Sequence, residues 1–186
     1  MKINLYILAL TAFFSAACRE PAQQIMSGPE AVVAGSSARI TITSPAFIHN
    51  APIPSKYTYD GQNVNPPLKF ENIPDETKSL ALIVDDNYAP GQVWVHWVVW
   101  KINPKALEIK ENSVPVGAVQ GMNTYGYPVY MGPSAPKGAG THRYSFRGYA
   151  LDIVLPLSAG AKPEDTEKAM EGHIIGKGEL IGFYTR

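Results

Sequence analysis

The sequence predicts a single, mostly β domain, built as a β-sandwich with one or two peripheral helices and long loops. The chain of 186 residues is long enough for one domain, or for one domain with a tail. Its composition combines 45% hydrophobic residues with 16 glycines, 16 prolines and 10 tyrosines, which is typical of a loop-rich β protein and not of a helical bundle. No internal repeat and no linker divides the body of the chain, so a single domain follows.

The N-terminal segment is predicted to be an export signal and no part of the fold. Lys2 precedes an apolar run over residues 3–14, which is too short to span a bilayer, and small residues lead up to Cys18. This arrangement resembles a bacterial lipobox, in which the cysteine is acylated and becomes the new N-terminus, although Ser15 stands where leucine is usual. A cleaved signal with an incidental cysteine is the alternative.

The expected organisation places the protein in the cell envelope. Cleavage before Cys18 leaves a segment rich in Ala, Gly, Gln, Ser and Pro without periodicity, which is typical of a tether. Acylation would then anchor the exported protein to a membrane by its N-terminal lipid, in the periplasm or at the outer membrane. We therefore expect a signal peptide at 1–17, a flexible tether at 18–37 and one domain at 38–186.

Charge and cysteine content exclude several classes of protein. The 16 Lys and Arg residues balance 16 Asp and Glu residues, so a nucleic-acid partner is not expected. The single cysteine excludes an intramolecular disulfide and a cysteine-based zinc site. The sequence contains no Gly-x-Ser-x-Gly elbow, no Walker loop and no dinucleotide fingerprint, so we expect neither a cofactor nor catalysis.

Hydrophobic patterns predict the first strands of the domain. Residues 38–43 alternate with period two, which indicates a strand with one covered face. Residues 79–84 and 93–102 are apolar on both faces, which indicates buried strands, and we expect the second of them to be central in its sheet. A further strand pattern runs over residues 141–152, within which Gly148 indicates a bulge.

The C-terminal part of the chain carries the one convincing helix. Pro163 near its start, acidic residues in its first turns and Gly176 after its end predict a helix over residues 163–175. Residues 180–184 are then expected to form the last strand.

Polar side chains that interrupt these apolar patterns are the candidates for a site. Asp86 ends one predicted strand, His96 lies inside the next, and His142 shares a strand face with Tyr144. A lone histidine in an apolar strand is more often a core residue with one polar neighbour. Two such histidines, each near a loop rich in proline and glycine, favour a shared pocket. A hydrolase or metal-dependent enzyme that uses Asp86, His96 and His142 is the alternative.

The loop at residues 132–140 precedes His142 and suits a small anion. Its glycines let backbone N–H groups approach a ligand, its prolines hold the loop in shape, and Lys137 adds a cation. The pattern therefore favours a phosphate-like ligand held by N–H groups, a hydroxyl and an imidazole. Taken alone it is weak, since loops of this composition are usually simple turns.

Several longer segments of the body occur together in a fixed order. They are Pro54–Gly61 with Asn65–Leu68, Asp86–Pro90, Trp94–Val99, Pro136–Tyr144, and Gly172–Ile174 with the closing residues 182–186. In this order they resemble the signature segments of the phosphatidylethanolamine-binding proteins, also called Raf kinase inhibitor-like proteins, in the branch found in bacteria. The resemblance extends from about Ser44 to the C-terminus.

The resemblance implies a β-sandwich of a large and a small sheet, with an anion pocket at one end. In this family the pocket accepts phosphate-like groups, including a phospholipid head group. By position, His142 and His96 would donate to the anion, and Tyr144 would offer its hydroxyl. Asp86 would orient an imidazole, since a bare carboxylate repels an anion. The ligand-binding residues implied are Asp86, Ala89, Pro90, Trp94, His96, Gly132, Ser134, Pro136, His142 and Tyr144.

The sequence departs from the family pattern around this pocket. Asn87 and Tyr88 replace a proline and a second aspartate, which removes a negative charge and is expected to narrow the mouth. Ala135 replaces a proline of the loop. No helix is expected after the last strand, which would leave the pocket more open, and relatives of this branch often form homodimers.

The function expected from the sequence is binding without catalysis. We expect an exported, lipid-anchored protein that holds a small anionic or phosphorylated ligand, such as phosphate or a phospholipid head group. Besides the enzyme described above, an envelope interaction protein with an idle pocket is an alternative. Kinase inhibition is not carried over to an exported protein.

Overall fold

Two β-sheets and one α-helix make up the described fold, which confirms the predicted β-sandwich. A computed structural model describes residues 37–87 and 91–186, with a seven-stranded and a three-stranded sheet on either side of an apolar core. The expected signal peptide, Cys18 and almost all of the tether lie outside these residues. The strands are β1 (Ala38–Arg39), β2 (Thr41–Thr43), β3 (Ala51–Pro52), β4 (Leu68–Glu71), β5 (Ser79–Asp86), β6 (Trp94–Ile102), β7 (Glu108–Ile109), β8 (Val119–Gln120), β9 (Thr141–Leu151) and β10 (Ile174–Thr185). A 3-10 turn spans Ser55–Tyr57, and the helix α1 spans Pro163–Met170.

The large sheet contains all the long strands. Its order is β1-β10-β9-β5-β6-β8, and β3 also pairs with β10. The long strands are antiparallel to one another, whereas β1 and β3 run parallel to β10. The small sheet is antiparallel, in the order β2-β4-β7. Because β5, β6 and β9 lie side by side, the end of β5 meets the starts of β6 and β9 at one edge of the sandwich.

The strand predicted at 38–43 is divided between the two sheets. β1 pairs with β10 of the large sheet, whereas β2 pairs with β4 of the small one. Between them the N–H of Ile40 donates to the carbonyl oxygen of Lys177 at 3.0 Å. Ile40 and Ile42 both face the core, so the period-two alternation continues unbroken through the change of sheet.

β6 has hydrogen-bonded neighbours on both sides, β5 and β8, so it is an interior strand of its sheet, as predicted. Its outer neighbour β8 is only two residues long, and a loop at residues 121–131 covers the rest of this edge. The N–H of Met131 in this loop donates to the carbonyl oxygen of His96 at 3.0 Å. The covered edge explains the apolar character of β6 and holds the loop beside His96.

Gly148 lies in a regular stretch of β9 and marks no bulge. A β-carbon there would lie 2.6 Å from Cδ1 of Ile42 and 3.0 Å from Cε1 of Phe70, both in the small sheet. The glycine therefore permits the two sheets to approach closely.

The helix is shorter, and the last strand longer, than the sequence predicts. α1 ends at Met170, and β10 begins at Ile174. Gly172 has a φ of +77° and stops the helix, after which Ile174 pairs with Leu151 of β9. Several positions of β10 are glycines, because neighbouring chain segments lie too close to admit a side chain. These glycines interrupt the alternation of side chains by which a strand is predicted from sequence.

The large sheet buries both of its faces. One face packs on the small sheet, and the other packs on α1 and its flanking loop through residues that include Ile83, Trp100, Leu155 and Met170. This double burial accounts for the continuous apolar run of β5. Within residues 37–87 and 91–186, no helix has the length and hydrophobicity needed to cross a membrane.

Candidate functional site

A cavity of about 890 Å³ lies at the edge where β5, β6 and β9 meet. Strand pairing sets Asp86 opposite Trp94 on one side and Tyr144 on the other. The loop over residues 121–131 and the loop before β9 supply further walls, and Tyr59 and Arg186 also line the cavity. The site is therefore positioned by the large sheet together with loop residues.

Most of the residues predicted to bind a ligand line this cavity. They are Asp86, Trp94, His96, Ser134, Pro136, His142 and Tyr144. Ala89 and Pro90 lie outside the described residues.

Gly132, also predicted to bind the ligand, lies behind the cavity lining. Its N–H donates to Oδ1 of Asn63 at 2.7 Å, and a β-carbon would lie 2.5 Å from the carbonyl oxygen of Tyr57. This glycine lets the loop pack against the 3-10 turn and does not direct an N–H into the cavity. The N–H of Gly132 is thus engaged with Asn63 and does not contribute to the backbone cradle expected over residues 132–136.

His142 and Asp86 form a buried pair in the cavity wall. Nδ1 of His142 donates to Oδ2 of Asp86 at 2.6 Å, and each residue is only 3% exposed. A carboxylate can only accept, so the pairing assigns a proton to Nδ1. Asp86 is thereby positioned to orient the ring and to balance its charge when the ring is protonated.

His96 is held by the main chain. Its Nδ1 lies 2.8 Å from the carbonyl oxygen of Met131, which can only accept, so Nδ1 carries the proton. Burial lowers the pKa of His96, against the opposing effects of the Met131 carbonyl, the Asp86 charge and the Gly132 carbonyl. The ring is therefore neutral near pH 7, and its Nε2 carries a lone pair.

The hydroxyl of Tyr144 is fully buried and makes no hydrogen bond with the described residues. Burial, reinforced by the charge of Asp86, raises the pKa of Tyr144, so the hydroxyl stays protonated. The backbones of Ser134 and Ala135 approach it and oppose this rise without reaching hydrogen-bond geometry. An unpartnered buried hydroxyl is costly, and an oxygen of a bound ligand would relieve that cost.

An aromatic wall lies beside these polar groups, and of its members the sequence predicts Trp94 but neither Tyr125 nor Tyr127. The rings of Trp94 and Tyr125 are 5.4 Å apart, and the ring of Tyr125 is 5.7 Å from that of His96. The hydroxyls of Tyr125 and Ser134 are hydrogen-bonded at 2.5 Å, which joins the two loops, and Tyr127 extends the wall. The available signal is the Tyr-Gly-Tyr segment at residues 125–127.

Arg186 is a second lining residue that the sequence did not predict. Its Nε donates to Oδ1 of Asp60 at 3.1 Å, and its guanidinium lies 5.5 Å from the centre of the Tyr59 ring. The Tyr184 hydroxyl donates to Oδ2 of Asp60 at 2.6 Å. These contacts hold a cation beside the cavity, where it favours an anionic ligand. The lining residues that were not predicted also include Tyr59, Met131, Ala135 and Ala139.

The described side chains do not form a metal site. Among residues 37–87 and 91–186, no three His, Cys, Asp or Glu side chains are grouped so as to hold a metal ion. His96 and His142 each use Nδ1 in a hydrogen bond, one to a carbonyl and one to a carboxylate. The described part of the cavity is thus suited to hydrogen bonding.

Comparison of the sequence with known proteins finds a matching family model and several similar proteins. The family model named phosphatidylethanolamine-binding protein matches residues 43–185. A UPF0098 protein of Methanothermobacter thermautotrophicus is 48% identical over 152 residues, which cover 79% of this chain and 99% of the relative. A UPF0098 protein of Pyrococcus horikoshii is 43% identical over 162 residues, covering 83% of this chain and 81% of the relative.

Solved structures agree with this result. A crystal structure from Chlamydia trachomatis, described as a phosphatidylethanolamine-binding protein homologue, matches with a TM-score of 0.75 at 41% identity, covering 81% of this chain and 99% of that chain. Escherichia coli YbcL, described as a new member of the mammalian family, matches with a TM-score of 0.76 at 27% identity, covering 80% of this chain and 99% of that chain. The chain therefore belongs to the phosphatidylethanolamine-binding protein family.

Proposed function

We propose that this protein is exported and lipid-anchored, and that it binds a small anionic or phosphorylated ligand in the cavity beside β5, β6 and β9. Membership of the family makes it a binding protein and not an enzyme. The observation that carries the proposal is that the buried His142–Asp86 pair and the Tyr144 hydroxyl, which has no hydrogen-bond partner among the described residues, lie in one cavity. Phosphate and a phospholipid head group share the chemistry that these groups would recognise.

Each polar group has a separate part in holding the anion. A protonated His142, balanced by Asp86, supplies a charge-assisted N–H donor. Tyr144 supplies a neutral O–H donor that would gain its missing partner on binding. Arg186 adds a positive charge near the mouth without being buried against the anion.

Export and anchoring rest on the sequence alone. They depend on the apolar run at 3–14 and on Cys18, which lie outside the described residues. We expect the full chain to fractionate with membranes and to incorporate labelled fatty acid, and Cys18→Ser to lose the label. Unchanged labelling of that variant would contradict acylation at this residue, and retention of both proteins in the cytoplasm would contradict export.

Binding is best tested on residues 37–186. This segment is expected to fold by itself, because two relatives align with about this part of the chain over 99% of their own length. It would be titrated calorimetrically with inorganic phosphate and with glycerophosphoethanolamine, beside the variant His142→Ala. His173→Ala is the matched control, since His173 forms a similar pair with Asp152 at 2.9 Å but does not line the cavity.

Saturable binding that His142→Ala loses and His173→Ala keeps would support the proposal. An absence of binding to the intact segment would contradict it and favour an interaction protein with an idle pocket. Stoichiometric metal in the purified protein, measured by atomic emission, would favour the enzyme alternative.

A further inference from the structure

The two histidines of the cavity are held by different partners. Nδ1 of His142 donates to the Asp86 carboxylate, and Nε2 becomes a second donor when the ring is protonated. His96 is bonded at Nδ1 to the Met131 carbonyl and is only 2% exposed. Its neutral ring can accept at Nε2 but cannot donate there. This differs from the sequence expectation that both histidines donate to the anion.

A lone pair in the wall of an anion site distinguishes between protonation states of the ligand. An oxygen of a fully deprotonated phosphate also carries only lone pairs, so it repels Nε2 of His96. A phosphate oxygen that retains its hydrogen donates to the same nitrogen. No described residue donates a hydrogen bond to this ring, so the acceptor remains available to the ligand.

We propose that the cavity selects phosphate groups that keep one P–OH hydrogen, as in phosphate itself and phosphomonoesters, over phosphodiesters. The P–OH donates to Nε2 of His96, while Tyr144 and His142 donate to the remaining oxygens. This rests on the proposed function and adds to it a source for the ligand. An intact phospholipid carries a phosphodiester, whereas a free phosphorylated head group carries a phosphomonoester.

The groups that face His96 can also titrate and must be separated from the ligand. Asp86 lies at the end of β5, His142 and Tyr144 lie on β9, Tyr125 lies in the covering loop, and Arg186 lies beside the cavity. Tyr144 and His96 are in edge contact, with ring centroids 5.3 Å apart. Dimethyl phosphate therefore serves as the reference that reports changes in these groups separately from changes in the ligand.

Methyl phosphate and dimethyl phosphate form a matched pair of probes. Near pH 5.5, below the second ionisation of a phosphomonoester at about 6, both carry about one negative charge, and only methyl phosphate has a P–OH. Titration of residues 37–186 at that pH should show methyl phosphate binding about tenfold more tightly, the effect of one satisfied buried acceptor. Dimethyl phosphate keeps a constant charge up to pH 8, so its own pH profile reports the titration of the protein.

The variant His96→Asn tests whether His96 causes the preference for methyl phosphate over dimethyl phosphate. The amide nitrogen of asparagine can replace Nδ1 as donor to the Met131 carbonyl, but no atom replaces Nε2. We expect this variant to bind the two probes within about twofold of each other, and His173→Asn to keep the tenfold preference of the unchanged segment. If His96→Asn fails to fold, the two probes on the unchanged segment still decide the proposal.

Several outcomes are distinguishable. A preference for methyl phosphate at pH 5.5 that disappears at pH 8 supports the inference. Equal binding of the two probes at pH 5.5, or tighter binding of dimethyl phosphate, overturns it and leaves the anion site standing. A preference that survives in His96→Asn overturns the role of His96. Binding of neither probe and of no phosphate overturns the proposed function as well.

Discussion

Replacing Tyr144 by phenylalanine is expected to stabilise the protein while weakening its binding of phosphate. The hydroxyl is fully buried and unpartnered among residues 37–87 and 91–186. The change removes that single oxygen and leaves the ring packing against His96 intact. Most substitutions of a buried residue lower stability, so a gain would be a specific signature of a hydroxyl reserved for a ligand.

The magnitude follows from the hydrogen-bond inventory. An unsatisfied buried polar group costs about 1–3 kcal/mol, and we expect Tyr144→Phe to raise the free energy of unfolding by about 1 kcal/mol. A hydrogen bond to a charged group is worth about 1.5–3 kcal/mol, so the affinity for phosphate should fall by about tenfold or more. Tyr130→Phe is the control, because the buried Tyr130 hydroxyl donates to the Tyr57 carbonyl oxygen at 2.8 Å. That variant should lose about 1 kcal/mol.

The assay is urea unfolding of residues 37–186 without ligand, followed by fluorescence and fitted with a common slope. The two variants delete the same atom from the same residue type in one core, so their difference reports the partner of the hydroxyl. If Tyr144→Phe is destabilised as much as Tyr130→Phe, the Tyr144 hydroxyl has a partner within the protein. That result would contradict the role of the Tyr144 hydroxyl as a donor kept for a ligand.

Three further predictions concern packing, pH and the buried pair. Gly148→Ala should lower the free energy of unfolding by about 2 kcal/mol, and adding Ile42→Val, which removes the obstructing Cδ1, should restore part of that loss. If the two substitutions are instead additive in the double variant, the close contact is contradicted. Burial raises the pKa of Asp85 to about 6 despite its arginine partner, which means that its ionised form is disfavoured in the folded state. The free energy of unfolding of the unchanged segment, minus that of Asp85→Asn, should therefore rise by about 2 kcal/mol as the pH falls from 7 to 4. A difference that does not change with pH would contradict this prediction. Asp86→Asn should weaken phosphate binding by about tenfold, because a protonated His142 loses its counter-charge, and unchanged calorimetric affinity would show that the pair does not assist binding.

The strands predicted from the sequence are those whose pattern is decided locally. β5 and β6 were found because burial on both faces demands a continuous apolar run, and β9 because its faces alternate. Only the C-terminal part of β10 was predicted, since its glycines are required by close contacts with distant segments, and those contacts are not visible in the local sequence. The helix was placed correctly but extended too far, because strand pairing from Ile174 overrides helical periodicity there.

The residues of the candidate site also differ in whether they could be identified from the sequence. Asp86, His96 and His142 stood out in the sequence, because an ionisable group within or beside an apolar strand is conspicuous and the adjoining segments resemble a known family. Arg186 and Tyr125 did not, because an arginine or a tyrosine in a terminal or loop segment is ordinary until the fold brings it to the cavity.

The fold class, the family and the residue types of the cavity can be inferred from the sequence, since they depend on local patterning and on motifs. The hydrogen bonds available to those residues depend on the tertiary structure. Nδ1 of His96 is committed to the carbonyl of Met131, 35 residues away, and Nδ1 of His142 is committed to Asp86, 56 residues away. Hydrogen-bonding capacity belongs to an atom and its neighbours, and those neighbours are assembled by the sheet and not by the order of residues in the chain.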